Sequence, residues 1–359
     1  MILVSAKAQE DNLGDVIIRE AHVDWLSGVG APVVSSRGVS ESYMAVFDLP
    51  PGAATQNREI QLLWSLVRRR RSVLVFAPGE QLLADTPGGL AKVVVNLIAS
   101  GLVRLRGGAV IKVGRGYRGA GRIAVALERL QLRLCTAAWS RDSAAPSMFP
   151  GMNLMPDIAL ASSHLAGPVY PGIERRGSFA FALRSDRAHY RQQFTAVLEA
   201  CRSASSATPL GVVQVGRDET LVSGLADDLD TEPLNWRGDH LNQLRRVVDA
   251  YDRSSFVVSD RLHVLLFAAR RGCVPIGYES GSSDKLRKQL RTIGLDHLVL
   301  DPEGAPERAS EIIANIELHR SEVMAAVETA RASLDRVRDE VSAIVSETVE
   351  PVRSLSRDG

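Results

Sequence analysis

A pattern of strand, turn and helix repeats within the segment from Ser254 to Gly294 and limits what this chain can fold into. A β-rich run at residues 256–259 leads into a helical segment at residues 264–271. A second β-rich run, Val274–Tyr278, then leads into another helix that starts at Ser282. Units of this kind place their strands in parallel, with the functional loops at the carboxyl ends of the strands. The segment therefore predicts part of a parallel sheet whose polar loop residues line a cleft.

The same alternation extends along the rest of the chain. Strands are predicted at residues 1–5, 44–49, 72–77, 109–113, 132–137, 179–183, 210–215 and 297–300, and helices at residues 15–25, 58–68, 88–100 and 119–130. This alternation predicts an α/β protein of two doubly wound, Rossmann-like domains. The predicted parts are an N-terminal domain at residues 1–165, a Gly-, Pro- and Ser-rich linker at 166–178, a C-terminal domain at 179–305 and a long helix at 306–359.

The predicted long helix carries an apolar stripe with spacings of four and three residues. The stripe consists of Val323, Val327, Ala330, Leu334, Val337, Val341 and Ile344. Two arrangements explain it: a coiled coil between two copies of the chain, or packing back onto the N-terminal domain. The alanine in the stripe favours packing within one chain, and a homodimer stays open as the alternative.

Composition places the chain among globular proteins and excludes several classes of partner. Its 359 residues suit two domains, and 45% of them are hydrophobic and 24% charged. The net charge of +1 is too small to give the protein an overall positive potential that would attract nucleic acid. Three scattered cysteines form neither a disulfide framework nor a zinc pattern, so a cytoplasmic location is expected. Neither a signal peptide nor an apolar run of roughly 18 residues is recognised. The arginines at positions 68–71 form either the end of a helix or a contact with the inner face of a membrane.

Several cationic residues follow predicted strands, where they would face a cleft. Arg261 and His263 follow the strand at 256–259, Lys285 follows the next strand, and Arg184 follows the strand at 179–183. Arg, Lys and His are suited to binding carboxylate or phosphate, and the helix N-termini nearby add backbone donors. The residues therefore predict a site for a small anion. The alternatives are a polar packing role for His263 and a surface salt bridge for Arg184.

Two glycine-containing turns are candidates for ligand contact. The turn from Asp11 to Asp15 joins the first strand to the first helix, so Asn12 and Gly14 either cap that helix or approach a ligand on the acceptor side. The run from Gly114 to Gly119 satisfies GxGxxG, but it comes late in the sheet and lacks the acidic residue about 20 positions later that binds a ribose. A glycine turn that lines the cleft is favoured over a dinucleotide site.

Short elements along the chain resemble the polysaccharide pyruvyl transferase family. The elements are Asn12-Leu13-Gly14-Asp15, Ser140-Arg141-Asp142-Ser143, Pro156-Asp157 and Ser259-Asp260-Arg261-Leu262-His263, followed by Phe267-Ala268, Gly272, Pro275 and Lys285. The chain departs from the family where Ala77-Pro78-Gly79-Glu80 replaces a glycine-rich run, which puts the acceptor side in doubt.

The resemblance implies a two-domain fold like that of B-type glycosyltransferases, with phosphoenolpyruvate bound mainly by the C-terminal domain. The implied activity transfers a pyruvyl group to two hydroxyls of a sugar in a cell-surface polysaccharide or its precursor, forms a ketal and releases phosphate. Phosphoenolpyruvate is then a co-substrate, the sugar acceptor is free or lipid-linked, and neither a further cofactor nor a metal is expected.

The residues of such a site can be assigned roles. The donor ligands are Arg141, Arg184, Arg261 and Lys285, while His263 protonates the methylene or binds the departing phosphate. Asp15 is the predicted base for the sugar hydroxyl. One alternative is a glycosyltransferase that uses a nucleotide sugar, with Glu279 on the ribose; a second is a non-catalytic relative that binds a glycan or a partner.

Overall fold

The computed structural model describes residues 1–56, 70–167, 177–279 and 284–349. Within these residues the chain forms two parallel sheets, one in each half. The strands are β1 (Ile2–Ser5), β2 (Pro32–Ser35), β3 (Ala54–Gln56), β4 (Val73–Phe76), β5 (Gly79–Leu82), β6 (Ala109–Arg118), β7 (Ala137–Ser140), β8 (Asn153–Leu154), β9 (Ser178–Ala182), β10 (Thr208–Gly211), β11 (Ser254–Ser259), β12 (Val274–Tyr278) and β13 (Val299–Leu300).

Helices connect the strands and cover the sheets. The α-helices are α1 (Leu13–Ser27), α2 (Glu41–Met44), α3 (Pro87–Leu105), α4 (Arg122–Leu134), α5 (Ala145–Met148), α6 (Arg191–Ala204), α7 (Glu219–Asp228), α8 (His240–Asp252), α9 (Leu262–Arg270), α10 (Lys285–Arg291), α11 (Ala305–Ala314) and α12 (Ile316–Thr348). Short 3₁₀ helices occur at Ile158–Ala161, Ser163–Leu165, Ser185–Tyr190, Gly216–Asp218 and Asp296–Leu298.

The order of the strands is that of two doubly wound domains. The first sheet has the order β3-β2-β1-β4-β6-β7-β8, with β5 paired to β6, and the second has the order β10-β9-β11-β12-β13. In each sheet the order reverses beside an early strand, β1 in the first and β9 in the second. Such a reversal opens a crevice at the carboxyl ends of the strands, where α/β proteins bind their ligands.

The long C-terminal helix joins the two domains. Helix α12 packs against α9 and β12 of the second domain and against α1, β6 and the 3₁₀ turn Ile158–Ala161 of the first. Six residues of the predicted stripe are buried, and Val345 takes the place of the partly buried Ile344 at its end. Because the chain itself covers this stripe, the stripe is not available as a coiled-coil seam between two copies. Asn315 separates α12 from α11, so the helical region is broken once.

Three predicted strands are wrong or displaced. Residues 44–49 contain no strand; Tyr43, Val46 and Phe47 are buried from a helical turn, and Pro32–Ser35 supplies the strand instead. Residues 132–134 finish α4, so β7 starts only at Ala137. Likewise, β10 lies at Thr208–Gly211 rather than at 210–215. Val46, Phe47, Val212 and Val213 fill the core from a turn or a loop as well as from a strand, whereas residues 132–134 are the partly exposed end of a helix.

The glycine run from Gly114 to Gly119, which follows the fourth predicted strand, also differs from the turn that the sequence predicts. Strand β6 continues through Gly114 and Gly116 to Arg118, and helix α4 begins only at Arg122. Gly114 has a φ of 61°, and the register with β7 shifts between Lys112 and Arg115. The glycines therefore allow a bulge within a strand and do not form a phosphate-binding turn.

Some predictions fall outside the described residues. They are the helix at 58–68, the arginines at positions 68 and 69, the linker between 168 and 176, the helix start at Ser282 and Ser283, and residues 350–359. Among the described residues, α3 is a 19-residue helix long and apolar enough to cross a membrane by length and composition. This finding corrects the expectation that no apolar run of roughly 18 residues exists; the helix contains two cations, Lys92 and Arg104.

Candidate functional site

The carboxyl ends of both sheets face each other across a cleft of about 1150 Å³. Of the residues predicted for the site, all but Gly14 line this cleft: Asn12, Asp15, Arg141, Arg184, Arg261, His263 and Lys285. The helices that follow β1, β11 and β12 begin at this edge, which explains why residues distant in sequence meet there.

Arg141, Asp157 and His263 form a compact polar cluster between the domains. Arg141 directly follows β7, Asp157 caps the 3₁₀ turn Ile158–Ala161, and His263 lies in the first turn of α9. Arg141 Nη1 donates to Asp157 Oδ2 at 2.5 Å and lies 3.1 Å from His263 Nε2. Because a guanidinium can only donate, His263 Nε2 is the acceptor of this bond. His263 Nε2 is also 3.5 Å from Asp157 Oδ2.

The residues around Asp157 stabilise the ionised form of its carboxylate. Arg141 and Asp157 are 6% and 5% exposed. Burial alone would raise the pKa of Asp157, but the charge of Arg141 lowers that pKa well below its usual range. The amide of Ala159 donates to Asp157 Oδ1 at 3.0 Å and adds to this effect. Asp157 is therefore ionised and fixes the orientation of Arg141.

Gly14 is needed because His263 lies directly against it. A Cβ atom at position 14 would fall 2.4 Å from His263 Nδ1, closer than two such atoms can approach. Asn12 caps α1 by accepting from the amide of Gly14 at 3.1 Å. The turn thus caps the helix, as one of its two predicted roles requires, and its glycine permits close contact with His263 of the other domain. Contact of the turn with a ligand stays a prediction.

Unpaired guanidinium donors lie at the base of the cleft. Within the described parts of the chain, no hydrogen-bond partner is found for four buried nitrogens: Arg19 Nε and Nη1, Arg115 Nε, and Arg141 Nε. Arg19 comes from α1 and Arg115 from β6, and both line the cleft. Gly116 of β6 adjoins this group, since a Cβ there would lie 3.6 Å from Arg141 Nε, an ordinary contact distance. Buried donors without partners are rare in proteins and mark places where a ligand or water completes the bonding.

The arginines raise the positive potential at this point. Burial, followed by repulsion from Arg115, lowers the pKa of Arg19 to about 10, and Arg141 adds to the repulsion. Burial and the positive charges of Arg19 and Arg115 lower the pKa of His22, behind them on α1, to about 3. His22 is therefore neutral at physiological pH. The arrangement favours an anion with several oxygens, since each added negative charge relieves the repulsion between cations.

The predicted donor ligands of the second domain already have carboxylate partners. Arg261 donates to Asp218, Arg184 binds Asp186 with two hydrogen bonds of 2.9 and 2.6 Å, and Lys285 Nζ donates to Glu80 Oε1 at 2.7 Å. Glu80 belongs to β5, so the Lys285 bond crosses the cleft. These three cations line the cleft as predicted, but much of their charge is neutralised.

Asp260 is an additional acid–base candidate in the cleft. Its Oδ1 accepts from the amide of Arg184 at 3.0 Å, while its buried Oδ2 has no hydrogen-bond partner among the described residues. Burial raises the pKa of Asp260 to about 6. A carboxyl group with this pKa and a free oxygen can exchange protons near neutral pH. Asp15, the predicted base, lines the cleft on the opposite side.

Sequence reasoning missed Arg19, Arg115, Asp157 and Asp260 as members of the site. Asp157 and Asp260 stood within elements used for the family resemblance, without roles of their own. Arg115 lies inside the GxGxxG run, a motif that is defined by its glycines. Arg19 follows Asp15 by four residues on α1, and this i, i+4 spacing places both on one helix face. That spacing is the signal that could have identified Arg19.

One group outside the cleft has the composition of a metal site. The ligand atoms of His297, His319 and Glu322 lie within 4.8 Å of one another on the surface. Hydrogen bonds explain this arrangement, since His319 Nδ1 lies 3.0 Å from Glu322 Oε2 and His297 Nε2 lies 3.3 Å from the same oxygen. The group is not part of the site described above, and the expectation that this site uses no metal stays a prediction.

Comparison with known proteins identifies the fold. No family model and no curated protein matches the sequence. A putative UDP-N-acetylglucosamine 2-epimerase from Listeria monocytogenes shares 12% identity, with 98% of each chain covered and a TM-score of 0.59. The UDP-GlcNAc 2-epimerase from Methanocaldococcus jannaschii shares 12% identity over 88% of this chain and 92% of its own, with a TM-score of 0.53.

A third solved structure has the same architecture. It is an α-glucosyltransferase in complex with UDP and a 13-mer DNA, with 9% identity over 96% of this chain and 98% of its own, and a TM-score of 0.53. Similarity at these identities concerns the fold. The prediction of two doubly wound α/β domains resembling the glycosyltransferase B fold, with a long C-terminal helix, is confirmed.

Replacing Gly14 with alanine should displace His263. We expect G14A to lose about 1–3 kcal/mol of unfolding free energy, because a methyl group is forced into a packed contact. Gly28 at the end of the same helix is the matched control, since a Cβ there would meet its nearest atom only at 3.7 Å. Urea unfolding and the NMR signals of the His263 ring measure the two effects. Equal stability of G14A and G28A would contradict the described contact.

Asp157→Asn should leave the Arg141 charge buried without its partner. We expect a loss of about 3–5 kcal/mol at neutral pH, against less than about 1 kcal/mol for Asp186→Asn in an exposed pair. Because the pKa of Asp157 is lowered on folding, its contribution is complete above about pH 5 and is lost as the pH falls below about 4. Urea unfolding of both variants across this range measures it. A stability difference that grows towards acid pH would contradict the ion pair.

Proposed function

We propose that the protein is a transferase that acts on a sugar and takes its donor group from a small molecule bearing phosphate. The observation that carries this proposal is the set of buried, unpaired donors on Arg19, Arg115 and Arg141 at the base of the cleft. Phosphate oxygens accept several hydrogen bonds at once and match the geometry of guanidinium groups. The cleft has room for such a donor together with a sugar.

A nucleotide sugar is the donor that the structural comparisons favour. The α-glucosyltransferase with this architecture was solved with UDP, and the two epimerases are named for a UDP-sugar. In this chain the diphosphate would lie on the arginines. Glu279, the residue considered for the ribose, lines the cleft, but its Oε1 already accepts from the amide of Leu286 at 2.8 Å. The ribose would therefore compete with a helix cap for this carboxylate.

Phosphoenolpyruvate is the donor that the residues favour. Arg141 and His263 belong to two different sequence elements that resemble the pyruvyl transferase family. In the cleft, Arg141 Nη1 and His263 Nε2 lie 3.1 Å apart. In pyruvyl transfer, two hydroxyl oxygens of the sugar form bonds to C2 of phosphoenolpyruvate and the C2–O bond to phosphate breaks. One hydroxyl proton ends on the methylene carbon, which becomes a methyl group, and the other leaves with phosphate. The arginines would stabilise the carboxylate and the departing phosphate.

Proton transfer in either reaction requires a group that is free to accept a hydroxyl proton. Asp260 has an unpaired oxygen and a pKa raised to about 6 by burial, and Asp15 also lines the cleft. His263, 3.1 Å from Arg141, is the group to which the resemblance assigns protonation of the methylene. We assign Asp260 as the main base, with Asp15 as the alternative.

Calorimetric titration with phosphoenolpyruvate and with UDP separates the two donors. We expect one of them to bind, and Arg115→Ala to weaken that binding about 10- to 100-fold, because a charged hydrogen-bond donor is removed. Arg133→Ala on the exposed face of α4 is the control and should bind normally. Binding of phosphoenolpyruvate supports pyruvyl transfer, and binding of UDP supports glycosyl transfer. If neither binds, a non-catalytic relative that binds glycans is the better description.

The pH dependence of turnover tests Asp260. Since a base must be ionised, we expect the rate with the bound donor to fall as the pH drops through about 6. Asp260→Asn should lose about 10²- to 10⁴-fold in rate, as removal of a general base usually does. Asp15→Asn is compared in parallel. An Asp260→Asn protein with wild-type rate and an unchanged acid limb would exclude this role.

A further inference from the structure

The outer surface of α3 and α4 combines exposed apolar side chains with positive charge. Large apolar residues are strongly exposed on both helices, although the two helices pack side by side. The exposed fractions are 52% for Val95, 57% for Ile98, 86% for Leu105, 55% for Ile123 and 46% for Leu130. We call these residues, with the exposed cations between them, the α3–α4 face. An apolar surface of this kind marks a site of contact with a partner or a membrane.

Every exposed charged side chain on these two helices is positive. Lys92, Arg104, Arg122, Arg129 and Arg133 are exposed, whereas the single acid in either helix, Glu128, is buried and pairs with Lys112. Asp85, which precedes α3, accepts from the amides of Ile123 and Ala124 and so caps α4. Arg70, Arg71 and Arg106 extend the exposed positive charge at the end of α3. A chain with a net charge of only +1 therefore concentrates cations around this apolar surface.

The inner side of α3 is part of the folded core. Val93, Ala99, Ser100 and Val103 are buried. In addition, Gln131 of α4 donates to Ser100 Oγ at 3.1 Å. Although α3 is long and apolar enough to span a membrane, leaving the protein would expose this packed side and break its contacts with β4 and β6. The helix can present its outer side while it stays in place.

We propose that the α3–α4 face lies on an anionic lipid bilayer, with its apolar side chains at the level of the headgroups and its arginines on lipid phosphates. Helices that bind membranes parallel to the surface combine these two features. A second copy of the chain fits less well, because a two-fold contact of this face with itself would bring cations against cations. Nucleic acid would match the charge but leave Ile98 and Ile123 without a role.

The proposed membrane contact is separate from the transferase function. The surface that makes this contact lies beside the cleft. Ala91, Lys92, Val95, Asn96 and Ala99 of α3 line the cleft, so one edge of the helix faces the site while its outer side faces the bilayer. If the proposed transferase function is correct, an acceptor carried on a lipid reaches the cleft along this edge. The membrane contact itself does not depend on the identity of the donor.

Flotation with vesicles tests the proposal on the full chain. We expect binding to phosphatidylcholine vesicles that contain about a third phosphatidylglycerol, and at least about tenfold weaker binding to phosphatidylcholine alone or at high salt. The double variants Ile98→Ser/Ile123→Ser and Arg122→Glu/Arg133→Glu should each bind about tenfold more weakly. None of these four residues lines the cleft, so donor binding should be unchanged and serves as the test of folding.

Matched controls come from the long helix α12. Leu318, with 60% exposure, and Arg336, also exposed, lie on this helix, and the variants Leu318→Ser and Arg336→Glu should keep full vesicle binding. Equal binding of the α3–α4 variants and these controls would overturn the proposal. A dimer in lipid-free solution that Ile98→Ser/Ile123→Ser converts to a monomer would overturn it in favour of a second copy. Binding to duplex DNA that displaces vesicles and ignores the apolar variant would also overturn it.

Discussion

The ion pair between Arg141 and Asp157 is the interaction on which the cleft depends. Both residues belong to the first domain and are buried, and His263 of the second domain joins them through its Nε2. Gly14 lies against the other side of the same imidazole ring. The histidine is therefore held between two elements of the first domain. This contact fixes how the two sheets face each other, and the long helix α12, which packs on both domains, reinforces it.

The cations of the cleft fall into two groups with different electrostatic states. Arg184, Arg261 and Lys285 each bind a carboxylate, and such pairs need no ligand. Arg19, Arg115 and Arg141 keep buried donors without partners within the described residues, and of these three only Arg141 forms an ion pair with a carboxylate there. Buried positive charge that exceeds the negative charge around it destabilises the folded protein unless an anion binds. The position of this excess suggests that the donor phosphate lies deeper, and closer to the first domain, than the resemblance implied.

Much of the fold could be predicted from sequence, because alternating strands and helices allow few arrangements. The meeting of Arg141 and His263 agrees with the same rule, since each residue comes after a strand and the carboxyl ends of the two sheets face each other across the cleft. The carboxylate partners Asp218 and Glu80 could not be predicted, because they lie 43 and 205 residues from Arg261 and Lys285. Residues 44–49 were misread because Val46 and Phe47 reach the core from a turn as easily as from a strand. Whether a cation is paired depends on the folded chain, so sequence reasoning found cations that line the cleft but, of the three arginines with unpaired donors, only Arg141.

Diffraction from crystals soaked in tungstate, a heavy analogue of phosphate with a strong anomalous signal, tests the central claim most directly. The account predicts an anomalous peak within hydrogen-bond distance of Arg115 and of Arg19 or Arg141, at the base of the cleft. It also predicts that this peak disappears in Arg115→Ala crystals soaked in the same way. A cleft without tungstate, or tungstate bound only beside Arg184 and Lys285, would contradict it.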